Sequence, residues 1–363
     1  MTEVYLTIFF IGVLLFFLGS GIWVGISMIG VSTIGMIMFT SRPVGDAMAT
    51  TMWSMASSWS LTALPLFVWM GEILFRTKLS ENLFKGLSPW LSKLPGGLIH
   101  VNILGCAIFA AISGSSAATV ATVGKMSIPE LRKRNYPERF LLGTLAGSGT
   151  LGLLIPPSII LIIYGVTVEE SIAKLFIAGI IPGIGLALLF MIYVVAWSLK
   201  NKKIMPVISE DFSFIDKVKQ SGQLLPVILL IFAVIGSIYA GIATATEAAS
   251  LGVLGALVLS FFQKSLTKES FSKSLLGATK TSCMIAFILA GSSFLTLAMA
   301  FTGLPKNLAV FIDTLQLSPY MLLLVLTIFY IILGMFLDGI SVSYTHLRAH
   351  ETSLHLVCRL LLE

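Results

Sequence analysis

Residues 111 to 121 read Ala111-Ile112-Ser113-Gly114-Ser115-Ser116-Ala117-Ala118-Thr119-Val120-Ala121, a run of small and hydroxylated residues inside the longer apolar stretch from Leu98 to Val123. Basic loops flank that stretch on both sides, Arg76 to Lys93 before it and Lys125 to Arg139 after it. Lys and Arg accumulate in cytoplasmic loops of membrane proteins, so both ends of the stretch belong on one face. A segment that enters and leaves on the same face is a re-entrant helical hairpin, allowed only where its non-helical tip is buried in protein or lines a cavity. The tip falls at Ser113 to Thr119, where glycine permits the turn and hydroxyls satisfy freed backbone groups. Spacing alone would equally allow a small-residue face for close helix packing. The flanking charges favour the hairpin.

Outward from this stretch the chain is uniformly apolar. Of 363 residues, 56% are hydrophobic and 11% charged, against about a quarter charged in soluble domains. Runs of about 20 apolar residues, enough to cross roughly 30 Å of hydrocarbon, recur along its length. The solvent is lipid, and the fold class is an all-α polytopic membrane protein. A net charge of +6 sits in short loops, where membrane topology explains it, so nucleic acid is not a partner. Cys106, Cys283 and Cys358 lie far apart without ligand spacing, so neither a disulfide framework nor a zinc site follows. The apolar N-terminal run lacks a basic leader and reads as membrane helix rather than a cleaved signal.

Val4 to Phe39 as one helix would be about 54 Å long. Gly19-Ser20-Gly21 divides it into two short helices. Further spans are predicted at Thr51 to Phe75, Phe140 to Tyr164, Leu175 to Leu199, Leu224 to Ala243, Ala248 to Phe262, Thr281 to Phe301 and Pro319 to Leu337. Besides the two basic loops already named, Lys200 to Lys219 and Lys264 to Lys280 should be cytoplasmic loops, whereas the connections at Glu169-Glu170 and Glu247 should face outward.

Sliding the chain by 225 positions lays Leu79-Ser80-Glu81-Asn82-Leu83 on Leu304-Pro305-Lys306-Asn307-Leu308, and Ser113-Gly114-Ser115-Ser116 on Asp338-Gly339-Ile340-Ser341. The first copy's loop is predicted cytoplasmic and its counterpart, Gly303 to Ser318, external. Inverted repeats of this kind bind substrate and ions at the midplane of secondary carriers, between broken helices. One break is written at Ile155-Pro156-Pro157-Ser158, preceded by Gly143, Gly147, Gly149 and Gly152. Each proline removes an amide hydrogen and frees a carbonyl about a turn earlier. Carbonyls and hydroxyls suit a hard monovalent cation, while the competing reading is a kink shaped for packing. Asp338 is the one acid in the apolar stretch from Ile331 to Ile340. A carboxylate there costs on the order of 3 kcal/mol and calls for a partner such as a cation, unless it marks a helix end at the interface. Glu72 and Glu247 stand nearer span ends and read as interfacial.

With these motifs placed, the chain resembles the large, DctM-like membrane subunit of tripartite ATP-independent periplasmic (TRAP) transporters. The resemblance is carried by Ala111 to Ala121, by Leu154-Ile155-Pro156-Pro157-Ser158 and by Gly334-Met335-Phe336-Leu337-Asp338-Gly339. It covers residues 1 to 341. The resemblance implies an inverted-repeat, elevator-type carrier in a bacterial inner membrane, importing small organic anions such as C4-dicarboxylates or sialic acid. It further implies sodium as the coupling ion, no other cofactor, a periplasmic substrate-binding protein that delivers substrate, and a small four-helix membrane subunit. Carried over, Ser113, Gly114, Ser115, Ser116, Thr119, Pro156, Pro157 and Ser158 form a substrate and sodium region of the first repeat. Asp338 and Gly339 belong to the symmetry-related sodium site. Residues 342–363, with His346 and His350 at helical spacing, depart from the family; the abrupt change of composition reads as a sequence artefact after an incomplete second repeat. An intramembrane aspartyl protease would need two facing carboxylates, and only Asp338 qualifies. Another elevator-type anion transporter, working without a binding protein, is the alternative.

Overall fold

The computed structural model describes residues 2–77, 79–206, 213–222, 224–303 and 314–336, together with 306, 307, 310 and 312. Among them every regular element is helical. The chain divides into two compact units, residues 1–57 with 284–363 and residues 58–283.

In the first unit, α1 (Thr2–Gly19) turns at Gly21, whose φ is +77°, into α2 (Val24–Phe39), as the glycine-serine interruption predicts. The two pack antiparallel: the Phe17 ring rests on Gly30 and the Phe10 ring on Gly35, so closely that a Cβ would meet them at 2.7 and 2.6 Å. α3 (Val44–Ala56) follows. Gly25 of α2 lies against Phe287 and Gly291, residues of α15 (Lys268–Phe301), a close approach of the kind that small residues allow. α16 (Pro319–Phe336) is the last described helix.

The second unit begins with a correction. The span expected from Thr51 to Phe75 is not one helix: α3 ends at Ala56, a 3₁₀ turn follows at Trp59–Thr62, and α4 runs Ala63–Phe75. The backbone leaves helical geometry at Ser57-Ser58, Ser58 being extended at ψ 120°, and Pro65 comes seven residues later. It lacks the N–H that a continuous helix would offer the carbonyl of Leu61, yet is harmless in the first turn of α4. A second correction concerns Lys264 to Lys280, expected as a loop. Its residues from Lys268 onward form the start of α15. Thr267 and Ser270 cap that start by exchanging hydrogen bonds, N–H to hydroxyl in each direction, at 2.9 and 3.0 Å, and Lys273 pairs with Glu269 one turn on. Basic residues assign a face but do not imply the absence of structure.

The remaining helices of this unit are α5 (Leu79–Leu91), α6 (Ile99–Ser113), α7 (Ser116–Lys133), α8 (Glu138–Gly149), α9 (Leu151–Leu154), α10 (Ile159–Thr167), α11 (Ile172–Lys200), α12 (Phe214–Ser221), α13 (Leu225–Tyr239) and α14 (Ala245–Phe262). Their core gathers Phe84, Leu98, Ile99, Ile103, Leu131, Leu141, Leu151 and Val194, with Phe140 stacked on Trp197 at 3.8 Å between centroids. By length and composition Glu138–Thr167 (interrupted midway), Ile172–Lys200, Ala245–Phe262 and Lys268–Phe301 can cross a bilayer. α6 cannot, since its 15 residues reach about 22 Å. The protein is a multi-pass membrane protein.

The loops that charge assigns to one face are tied together. Arg76 pairs with Glu72 at 3.1 Å and donates to the carbonyl of Lys273 at 3.3 Å, joining the first basic segment to the fourth. Trp90 donates to Ser221 at 2.7 Å, joining the first to α12, the helix that carries the end of the third. At the opposite end, Tyr239 of α13 donates to the carbonyl of Phe176 in α11 at 3.1 Å. Glu247 is spent on a capping box with Thr244 at the start of α14, the helix-end role its position suggested.

Candidate functional site

α6 and α7 form a hairpin. Gly105 sits against Val123, a Cβ at the glycine lying 3.5 Å from the valine, nine residues to either side of Gly114. The base is bolted: the Leu98 N–H donates to the Tyr136 hydroxyl at 3.0 Å, so the residues before α6 and after α7 meet. Burial pushes the Tyr136 phenol above its usual range.

At the tip the backbone reverses in two residues. Gly114 adopts φ +58° and closes α6 with its N–H on the Ala110 carbonyl, while Ser115 is extended at φ −126° and opens α7. A left-handed residue at the end of a helix is the position where glycine carries no Cβ penalty. The hydroxyls of Ser113 and Thr119 lie 3.0 Å apart. Thr119 gives its proton to the Ser115 carbonyl at 2.7 Å, so Ser113 donates to Thr119. Thr119 is fully buried and Ser113 nearly so. Ser115 and Ser116 are half-buried.

Opposite the tip lies the break. α9 ends at Leu154, Ile155 is extended with ψ 122°, and α10 begins at Ile159; the Pro156-Pro157 peptide is cis. Pro156 and Pro157 cannot supply the N–H groups that a continuous helix would have aimed at the carbonyls of Gly152 and Leu153. Ser158, buried, partly replaces them by donating its hydroxyl to the Leu153 carbonyl at 2.6 Å.

The two breaks touch. Ile159 donates its N–H to the Gly114 carbonyl at 3.3 Å. Gly114 faces the Pro157 carbonyl so closely that a Cβ would stand 2.6 Å from that oxygen, and a Cβ on Gly152 would be 2.9 Å from Ser115 C and Ser116 N. All eight first-repeat residues named from sequence therefore gather at one junction. The four glycines before the break divide: Gly149 and Gly152 hold the hairpin, against Val120 and the Ser115-Ser116 peptide, whereas Gly143 faces open space and Gly147 makes only ordinary contact. Gly71 and Gly179, not singled out by sequence, complete the packing. Gly71 backs Ser113, and Gly179 backs the Leu154 carbonyl. Asp338 and Gly339 lie outside the described residues.

Sequence reading also passed over a polar seam deeper in the hairpin. Asn102 of α6 donates to Thr144 of α8 at 3.4 Å, and Ser148 of α8 reaches the Asn102 carbonyl at 3.5 Å. Asn102 was the available clue, being the sole side-chain amide between Leu98 and Val123.

Chemically the junction offers neutral oxygens only. Neither 111–121 nor 150–160 carries a charged residue, and the hydroxyls of Ser113, Thr119 and Ser158 stand beside carbonyls released from helix geometry. Hard, weakly charged cations take such oxygen ligands.

Known proteins resemble this chain along most of its length. The family model of the tripartite ATP-independent periplasmic transporter DctM component matches residues 11–345. The C4-dicarboxylate TRAP transporter large permease protein DctM of Pseudomonas aeruginosa is 34% identical over 313 residues, covering 85% of this chain and 72% of that protein. The sialic acid TRAP transporter large permease protein SiaM of Vibrio cholerae is 31% identical over 327 residues, covering 89% and 75%. The isethionate TRAP transporter permease protein DctMQ of Oleidesulfovibrio alaskensis is 31% identical over 327 residues, covering 89% of this chain and 50% of its own length.

Proposed function

This chain belongs to the DctM family of TRAP transporters, a family of permeases and not of enzymes, and from that premise we propose that it is the large permease subunit of a sodium-coupled importer of small organic anions. One observation carries the reading: the hairpin tip and the Pro156-Pro157 break meet backbone to backbone. Two interrupted helices in contact supply what a secondary carrier needs at its midplane, free carbonyls for a cation and helix ends for an anion. In this reading Ser113, Thr119 and the carbonyls around the break ligate sodium. Half-buried Ser115 and Ser116, at the start of α7, face the anionic group of the substrate, where the helix N-terminus favours negative charge. Asp338 and Gly339 form the second sodium site, supported by the repeat alone.

The substrate class follows the relatives, whose names specify C4-dicarboxylate, sialic acid and isethionate. Their partners would be a small membrane subunit and a periplasmic binding protein in a bacterial inner membrane, and the hairpin would move with its cargo as an elevator. The test is uptake of labelled succinate, sialic acid or isethionate into proteoliposomes holding this chain and its small subunit, with the binding protein outside. Uptake should need an inward sodium gradient and the binding protein together. Equal uptake on potassium would end the sodium reading; uptake without the binding protein would favour the alternative carrier.

A further inference from the structure

We infer that α5 and α12 together form a binding platform for the headgroup layer of anionic phospholipid, a feature independent of how transport is coupled. The two helices are fastened at several points. Trp90 donates its indole N–H to Ser221 at 2.7 Å, Ser221 donates to the Gly86 carbonyl at 3.3 Å, and Gly86 lets Leu224 approach to where a Cβ would be 2.7 Å away. Trp90 meets Phe214 edge to face at 6.2 Å, and the Lys217 ammonium stands 5.5 Å from the Trp90 ring centroid.

What faces outward is apolar and basic. Phe214, Ile215 and Val218 are 69%, 75% and 52% exposed, and Trp90 46%. At about 100° per residue the three α12 side chains fall within one arc of about 100°, with Lys217 about 60° beyond one edge and Lys219 about 40° beyond the other. Asp216 lies farther round, on the opposite side. An apolar stripe with a lysine at each margin is the pattern of a helix lying in the membrane interface, its hydrocarbon sunk to the acyl boundary and its ammonium groups reaching up to phosphate.

Position argues for lipid over a protein partner. α12 leads into α13 within four residues, and the two axes differ by 56°. A helix set at such an angle to the apolar α13, at the end of α13 where basic residues collect, lies at headgroup depth. Charge then selects the lipid. Lys217, Lys219 and the exposed Lys85 face a layer in which phosphatidylglycerol carries a net negative charge and phosphatidylcholine none, and juxtamembrane lysines discriminate between such surfaces.

The experiment uses the whole chain in detergent, titrated with phosphatidylglycerol or phosphatidylcholine of matched acyl chains and read by native mass spectrometry. Phosphatidylglycerol should be retained preferentially. Lys217→Gln with Lys219→Gln should lower that retention roughly tenfold without altering phosphatidylcholine, while Lys273→Gln, on α15, should change neither. Equal retention of the two lipids, or an indifferent double variant, would overturn the inference. A nitroxide at Ile215 in bilayers gives a second readout that leaves the lysines intact. Headgroup depth by oxygen and nickel accessibility supports the platform; full aqueous access, or shielding from both reagents as beneath a protein, overturns it.

Discussion

Ser113 donates to Thr119 and Thr119 to the Ser115 carbonyl, while Ser113 accepts from the Ser115 N–H, so each hydroxyl oxygen keeps one lone pair for a further ligand. If those lone pairs hold sodium, Thr119→Val should raise the sodium concentration for half-maximal uptake several-fold, because it removes an oxygen while preserving shape. Ser113→Ala should act in the same direction. Asp338→Asn, which keeps an oxygen but loses the charge, should raise it further, since only the carboxylate offsets the full charge of the ion. Unchanged sodium dependence in all three variants would return the hydroxyls to a purely structural role. Gly114 makes a separate claim. An alanine there carries about 1–2 kcal/mol of left-handed strain and also meets the Pro157 carbonyl, so Gly114→Ala should lower thermal stability and uptake together. Gly143→Ala, which meets nothing, should be silent in both.

The hairpin is the element in which sequence and structure agree most closely, and also the one where the limits of sequence are visible. Its tip was legible because Ser113 to Thr119 concentrates residues that tolerate a turn, and because flanking charge fixed both ends to one side. The bolt at its base was not, since Tyr136 is a lone aromatic in a basic loop until folding brings Leu98 to it. Nor was the junction with the break: nothing in Gly152 announces that it abuts Ser115, because the two are brought together only by packing of α9 on the hairpin. Failure at Lys264 to Lys280 has the opposite cause. Topology rules read charge, and charge says nothing about whether an exposed segment is coiled or helical. Two outcomes test the element. Tyr136→Phe leaves a buried N–H of Leu98 without an acceptor and should destabilise the protein by about 1–3 kcal/mol, seen as an earlier midpoint on heating. Single cysteines at Lys93 and Arg132, in a cysteine-free background, should react with impermeant maleimide from the same, cytoplasmic, face; opposite reactivity would turn the hairpin into an ordinary span.

On the scale of the whole chain, the second half is expected to repeat the first upside down. Charge and register both favour that relation. Leu79 to Leu83 maps on Leu304 to Leu308, and the tip at Ser113 maps on Asp338, but Arg76 to Lys93 is rich in basic residues whereas Gly303 to Ser318 has Lys306 alone. Positive-inside orientation therefore puts the first loop in the cytoplasm and the second outside. Within residues 58–283 the fold is consistent with that sorting, since the basic segments meet through Arg76 with Lys273 and Trp90 with Ser221, and the acid-bearing connections lie at the other end of α11 and α13, where Tyr239 reaches Phe176. A cysteine at Ser318 should accordingly be labelled by impermeant reagent added outside intact cells, and one at Lys93 only after the membrane is opened. Lys306→Glu should leave both results unchanged, because one charge against four basic segments cannot reverse the preference. Labelling of Ser318 and Lys93 from one face would make the two loops parallel, and the pairing of Ser113 with Asp338 across a shared midplane would lose its geometric basis.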